Sequence, residues 1–218
     1  MIYVDTIGSI DDLIEKNELF LEKFQLLLLK RFQLFSMNIN KTLPLSKLIT
    51  RTGSILKCNE WKESMVLDLS TMPNGKIFIN DFSNGSIFAT NIKSINNLDL
   101  VYGSIRPYFK KAGFALDVDY VAGTIYSFNA INPKNYLWIL ACIASEAFHS
   151  FTTINSQGTK MPIINWNIFN SFKCPYEESI IDEFNDLIKP LFDLAIYKMK
   201  ENRKLKMLKN QYLKKFFG

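Results

Sequence analysis

Two stretches of this chain hold cations and hydrogen-bonding side chains without a single acid. Residues 101–116 read Val-Tyr-Gly-Ser-Ile-Arg-Pro-Tyr-Phe-Lys-Lys-Ala-Gly-Phe-Ala-Leu and contain Arg106, Lys110 and Lys111. Cations beside an aromatic such as Tyr108, with glycines that permit close backbone approach, suit a loop that follows phosphates and reads base edges. The same residues equally suit an exposed turn with a few surface lysines. Residues 147–176 contain Asn155-Ser156-Gln157-Gly158-Thr159-Lys160-Met161-Pro162. Here Gln157 and Thr159 can donate and accept toward bases while Lys160 meets phosphate, although polar residues around a glycine also make an ordinary exposed loop.

Other chemistries find no residues. The chain has one histidine, His149, set among Phe148 and Phe151, so it is expected to be structural and no multi-histidine metal site can form. Cys58, Cys142 and Cys174 are odd in number and widely spaced, which argues against a disulfide framework and a paired zinc site. Asn132-Pro133 is followed by Lys134 rather than the aromatic residue of an adenine methyltransferase motif, and no glycine-rich loop ends in Gly-Lys-Ser/Thr. No catalytic residue, metal or cofactor is expected.

Two long helices are predicted to hold these stretches. At the N-terminus Ser9 and Asp12 resemble a capping box, and a 4,3 alternation follows through Ile10, Ile14, Asn17, Leu21, Phe24, Leu28, Arg31 and Phe35. Leu13, Phe20, Leu27 and Leu34 widen that stripe. At the C-terminus the same spacing runs through Leu187, Leu191, Leu194, Lys198, Glu201, Leu205, Leu208 and Tyr212. Pro190 should start or kink this helix, because it lacks a backbone donor. Asn17, Lys198 and Glu201 on the seams are the kind of polar residues that set alignment rather than strength. The seams can pair with each other or with a second copy.

Between them the period shortens toward two. Residues 65–69, 76–79, 86–89, 98–102 and 123–128 are strand candidates, Pro73-Asn74-Gly75 and Asn84-Gly85 are turn signals, and 135–148 reads as a helix. The expected fold class is α+β, with helices over 1–37 and 177–218 flanking a mostly β domain over 38–176. At 218 residues the chain can bury one substantial core. No apolar run approaches the roughly 20 residues of a membrane span, and the N-terminus lacks a signal-peptide layout, so a cytoplasmic protein without a membrane partner is expected. The net charge of +5 is concentrated at one end, where residues 193–218 hold eight lysines and arginines against Asp193 and Glu201.

Taken together, these segments resemble the specificity subunit of type I DNA restriction-modification systems. Ser9-Ile-Asp-Asp-Leu-Ile-Glu-Lys-Asn17 and the stripe to Phe35 are similar to the end of that family's central helical region. Gly103-Ser-Ile-Arg-Pro107, Gln157-Gly-Thr-Lys-Met-Pro162 and Ile164-Asn-Trp166 resemble motifs of its target recognition domain. Glu201-Asn-Arg-Lys-Leu205 and the Leu213-Lys-Lys-Phe-Phe-Gly218 tail resemble its closing region.

The resemblance implies a non-catalytic subunit that binds double-stranded DNA, docks a modification (methyltransferase) subunit and associates with a restriction subunit. S-adenosylmethionine and ATP chemistry would belong to those partners. A full-length member has two recognition domains, whereas this chain has one. The resemblance therefore implies a half-length form that reads one half-site and pairs as a homodimer on a palindromic bipartite target. Arg106, Tyr108, Lys110, Lys111, Gln157, Thr159 and Lys160 are the candidate DNA contacts. The alternative is an assembly or decoy factor that reads no DNA and competes for the modification subunit.

Overall fold

Amphipathic periodicity over more than thirty residues at each end produces the two longest elements of the computed structural model, α1 (Ile2–Ser36) and α5 (Glu178–Phe217). The structure describes residues 2–56 and 60–217, with side chains described over 6–56 and 60–216. Cys58 lies outside these residues. Between the helices run strands β1 (Thr42–Pro44), β2 (Ile49–Arg51), β3 (Met65–Leu67), β4 (Ser83–Asn84), β5 (Ile92–Ser94), β6 (Leu100–Gly103), β7 (Ala112–Phe114), β8 (Tyr120–Ala122) and β9 (Ile125–Ala130). Helices α2 (Tyr136–Ile143), α3 (Glu146–Ile154) and α4 (Trp166–Phe169), then β10 (Lys173–Pro175), complete the α+β fold. Among the described residues no single helix is long and apolar enough to cross a membrane.

The chain divides into two compact units. One combines α1 as far as Leu28 with α5 from Asp186 onward. Within it the two helices run antiparallel, since Asp11 meets Lys209, Asn17 meets Glu201 and Asn202, and Phe24 meets Phe192. The seams therefore pair inside one chain. Ile10, Ile14, Asn17, Leu21, Phe24 and Leu28 of α1 are all buried. Of the residues expected to widen that stripe, Phe20 and Leu27 are half-buried, while Leu13 and Leu34 are exposed.

On α5 the buried line is Ile188, Phe192, Ala195, Met199 and Asn202, each one residue beyond its predicted counterpart. Leu187, Leu194 and Leu208 are exposed, at 39%, 40% and 39%, while Leu191, Leu205 and Tyr212 are half-buried. One residue is a rotation of about 100°. Apolar residues occupy two neighbouring stripes of this helix, and the one that keeps Lys198 and Glu201 out of the buried line is the one that packs, with Asn202 facing Asn17.

Two further features of the helices differ from expectation. The helix begins well before Ser9, since nothing from Ile2 onward breaks it and an exposed Gly8 costs only about 1 kcal/mol. Of the two roles expected of Pro190, to start or to kink the helix, the first is excluded because it sits inside α5, where its missing N–H deprives the Asp186 carbonyl of a helical donor.

The second unit, Leu29–Asn185, contains every strand. One four-stranded sheet has the order β2-β9-β6-β7, all antiparallel, and another has the order β4-β3-β8-β5, with β3 parallel to β8. β1 pairs with β10 apart from both. Leu67, Ile79, Ile95, Val101, Val121 and Ile125 belong to one core cluster of this unit. Aromatic contacts build another part of the core, where the Tyr102 ring lies 5.4 Å from Phe148 and 5.1 Å from Phe169.

Segments 76–79 and 86–89 are not strands. The first has no regular structure, with Ile77, Phe78 and Ile79 buried, and the second overlaps a 3-10 turn, Gly85–Ile87, capped by the Asn84 side chain. The single helix predicted over 135–148 is broken into α2 and α3 at Ser145, whose hydroxyl accepts from the Phe148 N–H and so starts a new helix. Cys142 and Cys174 are buried free thiols.

Asn17 anchors the pairing of α1 and α5. At 2% exposure its amide donates to Asn202 Oδ1 and to Glu201 Oε2, both at 2.8 Å, and Asn202 donates to the Ile14 carbonyl at 3.4 Å. Asn17→Ala removes the partner of a buried amide and is expected to cost about 1–3 kcal/mol in urea unfolding. The Asn17→Leu/Asn202→Leu double variant should recover most of that loss, because no buried amide is then left unpaired.

Candidate functional site

The two acid-free stretches are neighbours. After β6, Ser104 donates from its amide and its hydroxyl to the Thr124 carbonyl, at 3.0 and 2.6 Å. The Ile164 amide donates to the Ser104 carbonyl at 3.0 Å, and the Arg106 amide donates to the Pro162 carbonyl at 2.7 Å. Ile105 and Ile163 are thereby bridged antiparallel. Gln157 and Ile163 exchange both backbone hydrogen bonds, at 2.9 and 2.8 Å, which closes a tight loop over 157–163. Gly158 turns that loop at φ +104°, a conformation that strains any other L-residue.

Around Pro107–Phe109, a 3-10 turn, both flanking residues are left-handed: Arg106 at φ 51° and Lys110 at φ 55°. Each such non-glycine residue costs of order 1–2 kcal/mol, and backbone strain of this kind concentrates at functional sites.

The predicted contacts divide into two groups. Gln157, Thr159 and Lys160 are exposed on the loop, beside Met161 at 52% exposure, and their side chains have no hydrogen-bond or ion-pair partner among the described residues. Tyr108 is 46% exposed, its ring 4.8 Å from that of Phe109. Arg106 is half-buried, and its Nε is buried without a hydrogen-bond partner. The other two lysines have protein partners. Lys110 Nζ lies 2.6 Å from Glu146 Oε2, and this contact holds the Glu146 carboxyl below its ordinary range. Lys111 Nζ donates to the Leu69 carbonyl and sits 5.7 Å over the Phe109 ring, with burial lowering its pKa.

The glycines of the 101–116 segment also act inside the protein. Gly103 and Gly113 lie buried in β6 and β7. A Cβ on Gly113 would come within 2.4 Å of the Ile77 carbonyl oxygen, so it admits the neighbouring chain rather than a ligand.

Arg51, on the edge strand β2, was not among the predicted contacts. Its guanidinium lies 4.7 Å from the Trp166 ring centroid and 5.5 Å from that of Tyr126. The Tyr126 hydroxyl donates to the Ile164 carbonyl at 2.6 Å, directly after the 157–163 loop. A lone arginine between threonines carries no local signal. Only the fold brings these rings beneath it.

His149, as expected, has a packing environment. It is 4% exposed, its ring stacked 6.0 Å from that of Tyr102, with Nδ1 3.4 Å from the Tyr102 hydroxyl. Among the described residues no cluster of His, Cys, Asp and Glu could hold a metal ion. Burial, reinforced by the Lys110 charge, lowers the His149 pKa from 6.5 to about 4. The unfolded chain takes up this proton below pH 6.5 while the fold does not, so stability falls as pH drops through 6.5 and levels off near 4. The total effect is about 3 kcal/mol. Urea unfolding of His149→Gln between pH 7 and 4.5 should lack this part of the slope.

No family model matches the sequence, and no curated protein matches it significantly. Among solved structures, the fold is similar to that of the S subunit of a type I restriction-modification system from M. genitalium. That match has a TM-score of 0.53 at 14% identity and takes in 100% of this chain and 58% of the other. A weaker match, to the HsdS subunit from Thermoanaerobacter tengcongensis, has a TM-score of 0.47 at 10% identity over 98% of this chain and 55% of that one. The chain thus spans little more than half the length of the S subunit whose fold it shares, with one β-rich unit and long helices at both ends.

Proposed function

We propose that this chain is a non-catalytic, half-length DNA-specificity subunit of a type I restriction-modification complex, in which the 38–176 region serves as target recognition domain. The observation that carries this reading is the joining of two acid-free segments by backbone hydrogen bonds, with Gln157, Thr159 and Lys160 displayed on one loop. A cation beside amide and hydroxyl groups suits contact with both phosphate and base edges. Arg106 and Tyr108 flank that loop and complete the surface. Lys110 and Lys111, engaged by Glu146 and Leu69, contribute through positioning and field. The modification subunit supplies methyl transfer and the restriction subunit supplies cleavage, with the terminal helices docking them.

Two copies would carry two recognition domains and read a palindromic bipartite site. Because the Asn17–Asn202 seam is closed within one chain, a second copy would use an apolar face left exposed, such as the stripe of Leu187 and Leu194. That same closure also favours a second reading, in which a self-contained monomer competes for the modification subunit as an assembly or decoy factor.

Selection of bound duplexes from a random-sequence pool tests the first reading. An enriched half-site that changes with Gln157→Ala, together with uniformly weaker binding by Lys160→Ala, is the expected result. An unselective pool would count against it. Light scattering separates the two assemblies. A dimer lost on Leu187→Lys/Leu194→Lys is expected, whereas a monomer that lowers methylation when added to the modification subunit supports the decoy.

A further inference from the structure

The basic surface does not end at the 157–163 loop. Ile164 leads from that loop to Trp166, over whose ring Arg51 is seated. Beyond Arg51 opens a groove of about 600 Å³ where the two four-stranded sheets meet, with Lys93, Asn91 and Thr124 in its walls. Arg51 is exposed, and among the described residues no carboxylate pairs with it. Lys93 donates to the Ile125 carbonyl at 2.8 Å, which leaves two of its three protons for another acceptor. Its pKa is lowered first by burial and then by the nearby Arg51 charge. Asp68 is the acid of this groove. It is buried, accepts from the Ser70 N–H at 2.5 Å, and its charge acts on Lys111.

Two cations in one groove, neither paired with a carboxylate among the described residues, repel each other, and an anion with several acceptor oxygens relieves that repulsion. The stack on Trp166 and Tyr126 restricts the guanidinium in advance, and a restricted arginine fork suits phosphate oxygens. We infer that Arg51, seated on Trp166 and Tyr126, takes a backbone phosphate of the duplex whose bases the 157–163 loop meets, with Lys93 supplying a second charge. The nucleic-acid face then runs from the loop across Trp166 into the groove between the sheets. This inference rests on the DNA-binding reading above and adds a contact outside both predicted segments.

Fluorescence anisotropy of the full chain with a labelled random-sequence duplex, titrated across salt concentrations, tests it. Arg51→Gln should weaken binding by roughly tenfold at low salt and reduce the slope of log K against log salt by about 0.9, as expected for one lost phosphate contact. Arg51→Lys should keep the slope and recover part of the affinity, because it keeps the charge and loses the fork. Weaker binding with an unchanged slope would mark Arg51 as merely structural and overturn the inference. Unchanged binding by Arg51→Gln, with Lys160→Ala still impaired, would overturn it while leaving the DNA-binding reading intact. A wild-type chain that binds no duplex would overturn both. Circular-dichroism melting of each variant identifies any that fails to fold, and Arg51→Lys then carries the comparison.

Discussion

Backbone hydrogen bonds between chain segments far apart in sequence hold the candidate site together. The Arg106 amide on the Pro162 carbonyl and the Ile164 amide on the Ser104 carbonyl tie the end of β6 to the return of the 157–163 loop. Such bonds specify register without depending on side-chain type, so the loop can vary its displayed residues while its path stays fixed. Gln157, Thr159 and Lys160 are exposed on that path. Arg106 pays for part of this arrangement through a left-handed backbone and a buried Nε without a partner.

The same economy governs the helices. Burying Asn17 and Asn202 in an otherwise apolar line adds little net stability, but any displaced register would leave both amides unpaired. Lys209 on Asp11 and Lys206 on Glu18 repeat the alignment at the surface, where exposed ion pairs contribute less than about 1 kcal/mol each. The polar contact in the seam and the ion pairs at its surface thus specify the same alignment of α1 and α5 within their unit.

Cation chemistry in the β-rich unit is sorted by local partners rather than by composition. Four basic residues looked alike in sequence: Arg106, Lys110, Lys111 and Lys160. Glu146 neutralises one, the Leu69 carbonyl and the Phe109 ring hold another, and Lys160 alone is fully displayed. Arg51 joins the displayed group because aromatic rings, which leave its N–H fork free, take the place of a carboxylate.

Much of the architecture follows from the sequence alone. A 3.6-residue period over long stretches specifies the terminal helices, and the α1 seam from Ile10 to Leu28 can be read directly because one stripe there dominates. The α+β class and the two acid-free segments are equally legible. The tertiary structure decided what periodicity cannot. On α5 two apolar stripes compete, and the one that packs carries Asn202 opposite Asn17, from the other end of the chain, rather than the leucines. Strands of three residues, such as β2 and β5, are too short to show an alternating pattern. Glu146 beside Lys110, the Leu69 carbonyl on Lys111 and Trp166 beneath Arg51 all lie far away in sequence, so these commitments emerge only when the fold brings them into reach.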